Sequence, residues 1–155
     1  MRCLLCVAGG FALAGLYHSQ ASATPAQDCK KPVYLTFDTG HMAVAPVIAD
    51  ILARQKVVVT FFAANEKTKE GDGSLGEHWG GWWRERAKEG HEFAPHTFNH
   101  VYWVADAGKD AFRVKPSAGS RQGETYILDR NGYCEDLSRY SRRLHLLIGK
   151  APLRF

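Results

Sequence analysis

Two apolar runs with an amphipathic stretch between them constrain this chain more than any other feature. Residues 33–37 read Val-Tyr-Leu-Thr-Phe, bounded by Pro32 and Gly40, and residues 57–62 read Val-Val-Val-Thr-Phe-Phe. Short runs of β-branched and aromatic residues between turn signals suit buried strands. Between them Val44, Val47, Ile48, Ile51 and Leu52 recur at helical spacing, with Asp50 and Arg54 off that stripe. Pro46 is tolerable only in the first turn of such a helix. Strand, helix and strand within about 30 residues form a βαβ unit, which joins parallel strands. An α/β fold with a parallel sheet is therefore expected.

The rest of the chain extends this pattern. Residues 65–76 are polar, carry Gly71, Gly73 and Gly76, and read as a loop. Trp79, Trp82, Trp83 and Ala87 predict a second helix, stopped by Gly90. Aromatics at that spacing serve a core more often than a sugar site. His91-Glu92-Phe93-Ala94 predicts a third strand. Residues 101–125 have no clear period and are expected to be a long loop with short ordered pieces. Tyr133, Leu137, Tyr140, Leu144, Leu147 and Ile148 predict a last helix ending near Gly149. Residues 152–155 then resemble the start of a further strand.

The N-terminus has a different character. Met1 and Arg2 precede an uncharged apolar stretch, residues 3–17, and Ala21-Ser22-Ala23 is a small-x-small site. This is the three-part pattern of a secretory signal peptide, cleaved after Ala23. The apolar stretch is about 15 residues, short of the roughly 20 that span a bilayer. The reading is residues 1–23 as signal peptide, 24–31 as linker and 32–155 as one domain. The chain is expected to be secreted or periplasmic, with no stable membrane insertion after cleavage. Cys29 and Cys134 would remain, either as a disulfide in an oxidising compartment or as two thiols. The formal net charge of +4, with no Lys or Arg run longer than two, does not call for a nucleic-acid partner.

Two short segments carry chemistry. Asp38, in Thr36-Phe37-Asp38-Thr39-Gly40, ends the first strand, where parallel α/β folds build their sites. It is placed for base or ligand work, or alternatively for a turn. His96-Thr97-Phe98-Asn99-His100 follows the third strand. Histidines four apart share one face of a helical turn and can reach one metal ion, zinc above all. The other reading is two surface histidines. Thr97 stands where a zinc protease would carry glutamate. Tyr102 and Trp103, directly after the second histidine, are candidates for substrate contact.

The order of these pieces resembles the polysaccharide deacetylases, the NodB-homology carbohydrate esterases. Residues 36–40 match four of the five residues of that family's Thr-Phe-Asp-Asp-Gly motif, and residues 96–100 match its His-Ser/Thr-x-x-His motif. Val59-Thr60-Phe61-Phe62 and Gly90-His91-Glu92 match two further markers, in the family's order. The resemblance implies the front part of a distorted (β/α) barrel. It also implies hydrolytic removal of N-acetyl groups from a polysaccharide: chitin-like, peptidoglycan or exopolysaccharide. A divalent metal, usually zinc, would be held by His96 and His100. Asp38 would be the base, and Thr97 would bridge the turn or touch the acetate.

Three departures accompany the resemblance. Thr39 replaces the family's second aspartate, a metal ligand, which leaves Asp38 or His41 as substitutes, although His41, just past the turn, reads first as a plain surface histidine. Arg154 stands in the arginine place of the family's third motif, which normally orients the base and supplies an oxyanion donor. The chain ends before that motif's Pro-Tyr, and later motifs have no counterpart, so the domain is expected to be C-terminally truncated. The alternative function is a non-catalytic secreted remnant that binds glycan or metal.

Overall fold

The computed structural model describes residues 31–149. The signal peptide, nearly all of the linker, Cys29, Arg154 and the strand expected at 152–155 lie outside the described residues. In the unit that begins at Val33, strand β1 (Thr36–Asp38) is followed by helix α1 (Ala45–Gln55), β2 (Thr60–Ala63), helix α2 (Glu77–Lys88) and β3 (Glu92–Pro95). β1, β2 and β3 form a parallel sheet in that order. The α/β class and the βαβ unit are thus as expected. Both predicted strands begin late: Val33 and Tyr34 precede β1, and Val57 and Val58, both exposed, precede β2.

Register explains the core. Phe37, Phe61 and Phe93 stand opposite one another across the three strands. Trp83 meets the last two edge-on, 5.8 Å from each ring centroid. Trp79 and Trp83 are buried in α2, as the core reading of the tryptophans requires.

α1 departs from its sequence stripe. Its buried residues are Ala45, Ala49 and Leu52, while Val44, Val47 and Ile51 are exposed. Spacing of apolar residues identified the helix. The face that packs carries Ala45 and Leu52, which join the core cluster of Phe61, with Ile48 at its margin. The helix ends at Lys56, whose φ of 54° is left-handed.

The expected loop at 101–125 is instead mostly sheet. β4 (Val101–Asp106), β5 (Ala111–Pro116) and β6 (Tyr126–Asp129) form a separate antiparallel sheet. A register shift between Trp103 and Ala105 breaks the alternation that would have marked β4 as a strand. Helix α3 (Arg130–Ile148) follows, capped by Asp129 Oδ1, which accepts from Gly132 N at 2.7 Å. Tyr140, Leu144 and Leu147 bury α3 in the core cluster that holds Trp79 and Trp83. Cys134 is exposed on this helix and has no disulfide partner among the described residues. The two sheets remain separate and open among the described residues.

Candidate active site

The end of β1 and the loop after β3 bring Asp38, His96, Thr97 and His100 to one cleft at the carboxyl ends of the parallel strands. The cleft encloses about 540 Å³, and Val101, Tyr102, Tyr133 and Leu137 also line it. His96 Nε2 stands 3.7 Å from Asp38 Oδ2, and the His96 and His100 ring centroids are 4.7 Å apart. Tyr102 lies 4.7 Å from the His100 ring. Burial pushes the His96 imidazole below its ordinary range, against the opposing pull of the Asp38 carboxylate. A depressed value keeps the ring neutral near pH 7, with a lone pair available to a ligand.

The histidines do not share a helical turn. They flank a tight turn in which Thr97 (φ 57°) and His100 (φ 49°) are left-handed. That conformation is costly for a β-branched residue and survives only when the surroundings impose it. Here they do. Thr97 Oγ1 accepts from Val101 N at 2.6 Å, so its hydroxyl closes the turn. From α3, Asp136 Oδ2 accepts from Phe98 N at 2.6 Å, and Oδ1 accepts from Asn99 Nδ2 at 2.8 Å. The Arg139 guanidinium lies 3.9 Å from the Phe98 ring centroid. Gly119 (φ 81°) completes the seat, since a Cβ there would stand 2.4 Å from Asn99 Oδ1.

Asp136 gives a pH prediction. Burial pushes its carboxyl above the ordinary value of 3.8, outweighing the Asn99 and Phe98 hydrogen bonds that lower it. The native carboxyl therefore holds its proton to higher pH than the unfolded chain does. Its contribution to stability is full below the ordinary Asp range and is lost as pH rises through the raised native value. Asp136→Asn removes that titration. The stability of the wild type relative to the variant is expected to fall as pH rises across this window, read from melts at a series of pH values. A difference that stays flat or rises contradicts the assignment.

The sequence departures have definite structures. Thr39 Oγ1 accepts from Ala64 N at 2.8 Å and donates to Ala64 O at 3.2 Å, tying the end of β1 to the segment after β2. His41 Nδ1 meets the Lys67 carbonyl at 3.0 Å, and His41 is not among the residues lining the cleft. His91 is buried, and its Nδ1 accepts from Val59 N at 3.1 Å, a core role.

Glu66, Ser117 and Asp136 were not singled out by the sequence. The buried Glu66 carboxylate meets His100 Nδ1 directly. Ser117 Oγ donates to Glu66 Oε1 at 2.7 Å and also lies 2.7 Å from His100 Nδ1.

Two imidazoles and a carboxylate in one cleft suit a divalent ion in donor chemistry, zinc included. A carboxylate behind a histidine is the usual support of a metal-ligating ring. Thr39 contributes nothing to such a set, its hydroxyl being engaged with Ala64. Among the described residues no three His, Cys, Asp or Glu side chains come together as a metal-holding group. The fit is thus to the two histidines, with Asp38 beside them and a third ligand not in place.

Residues 26–152 match the polysaccharide deacetylase family, defined by NodB homology. The chain belongs to that family. No curated protein and no solved structure gives a match. Within a polysaccharide deacetylase the Asp38–His96–His100 cleft is the natural candidate for the active site. Tyr102 lines this cleft, but Trp103 does not. Trp103 lines a neighbouring groove of about 250 Å³ with Val101, Phe112, Val114 and Tyr133. Successive residues of a strand point to opposite sides, which separates the two aromatics. Val101 and Tyr133 border both spaces.

Proposed function

We propose that this chain is a metal-dependent deacetylase of N-acetylated polysaccharide, acting outside the cytoplasm. Residues 1–23 serve as its export signal, and the domain that follows has the α/β fold of the NodB-homology type. No described helix is long and apolar enough to cross a membrane. The observation that carries the reading is the Asp38 carboxylate facing the His96 imidazole at 3.7 Å, in the cleft that His100 also lines.

His96 and His100 would hold the ion, zinc first. When bound, it supplies Lewis-acid polarisation of the acetamide carbonyl and of a water. Asp38, largely exposed, takes the proton from the attacking water. The carbon–nitrogen bond then breaks, acetate leaves, and the sugar amine takes up a proton. Thr97 keeps the histidine turn closed beside the acetate position. Tyr102 walls the cleft next to His100, and Trp103 offers a ring to a neighbouring sugar. The substrate is a chitin-like glycan, peptidoglycan or an exopolysaccharide.

A calorimetric zinc titration tests the metal assignment. One-to-one binding is expected, lost in the His96→Ala/His100→Ala double variant. A folded chain that takes up no zinc contradicts it. One observation favours a second reading, a glycan- or metal-binding remnant without turnover: the Thr39 hydroxyl, in the place of the family's second aspartate, is spent on Ala64. Glycan affinity with no acetate release supports that alternative.

A further inference from the structure

The polar contacts behind His100 go beyond the reading above. His100 Nδ1, Glu66 Oε1 and Ser117 Oγ form a closed triangle. A carboxylate only accepts hydrogen bonds, so the nitrogen that faces it carries the hydrogen. The serine hydroxyl can give its single hydrogen to Glu66 while its oxygen lies beside Nδ1. One proton arrangement satisfies both contacts to the carboxylate: Nδ1–H and Oγ–H both point at Glu66, and Ser117 Oγ then lies beside Nδ1 with no hydrogen between them. Nε2 is then the unprotonated nitrogen of the neutral ring.

The triangle is built into the fold. Glu66 is held from behind: its backbone N donates to Ser74 Oγ at 3.0 Å, and Ser74 is itself buried. Ser117 is placed by its own backbone N, which donates to the His100 carbonyl at 3.0 Å. His100 is thus held at its main chain by the segment that follows β5 and at its ring by Glu66. The grip also supports a left-handed φ at His100 that the chain would otherwise resist.

We propose that Glu66 and Ser117 are positioning residues that fix His100 in the Nδ1–H tautomer, reserving its Nε2 lone pair for a ligand in the cleft. Neither residue touches the reacting atoms. Their task is to set which nitrogen is basic and where the ring stands. The consequence for metal affinity rests on the proposed deacetylase reading. The tautomer itself does not.

The test keeps the two apart. The purified chain, labelled with nitrogen-15 in its histidine rings, is studied by NMR without metal at a pH where imidazole is neutral. His100 is expected to show a protonated Nδ1 and an unprotonated Nε2. Glu66→Ala is expected to shift His100 toward a mixture of tautomers, and Ser117→Ala, a smaller excision, to do so partially. In parallel, zinc affinity is expected to fall by about 10–100-fold in Glu66→Ala. A wild-type His100 with its proton on Nε2 overturns the proposal. So does a tautomer unchanged in both variants, each checked for a native melting transition. Failure of wild-type zinc binding with the tautomer results intact sinks the metal assignment alone.

Discussion

Asp38→Asn is expected to lower acetate release by about 10²–10⁴-fold, the usual worth of a positioned general base. The amide keeps the size and a hydrogen-bonding oxygen of the carboxylate but cannot take a proton from water. Asp38 is more than half exposed, and among the described residues its ionic contact is the 3.7 Å approach to His96. The substitution should therefore leave the melting temperature nearly unchanged. That combination separates a catalytic role from a turn role. Steady-state acetate release and a thermal melt of the same preparation check it. Loss of activity together with a large loss of stability would instead mark Asp38 as part of the scaffold.

Trp83→Ala is expected to have the largest effect on stability, about 3–5 kcal/mol. Trp83 is fully buried, packed edge-on against Phe61, Trp82 and Phe93. Its indole Nε1 donates to the Ser74 carbonyl at 2.7 Å. Alanine leaves a large void and removes the partner of a buried carbonyl, two separate penalties. Against a typical domain stability of about 5–15 kcal/mol, a loss of this size removes a large share of the total. Ser74 also supports Glu66, so the damage should reach the cleft. Urea denaturation measures it, and a shift below about 1 kcal/mol would contradict the packing account.

Much of the parallel half of the fold was legible. The β-branched runs, the helical spacing between them and the tryptophan helix are local signals, and the core obeys them. What misled was any pattern whose outcome depends on a partner. The face of α1 that packs carries Ala45 and Ala49, which hydrophobic spacing does not rank above valine. β4 was hidden by the register shift at Trp103 and by an edge exposed on both sides. The histidine pair was legible as a motif, but its left-handed turn was not, because that turn is imposed by Asp136 from a helix 38 residues away. Glu66 was invisible for the same reason: it reaches His100 across 34 residues from a polar loop that carries no motif. Thr39 was legible as a departure. Only the fold shows that its hydroxyl ties the ends of two strands together.

The most direct measurement is acetate release from N-acetylated chitin oligomers and from peptidoglycan by the zinc-supplemented chain. Asp38→Asn and the His96→Ala/His100→Ala double variant are run beside it. Acetate from at least one substrate, lost in both variants, is the predicted result. A folded, zinc-loaded wild type that releases none from either glycan, or release that persists in Asp38→Asn, would contradict the assignment of this cleft as a deacetylase active site.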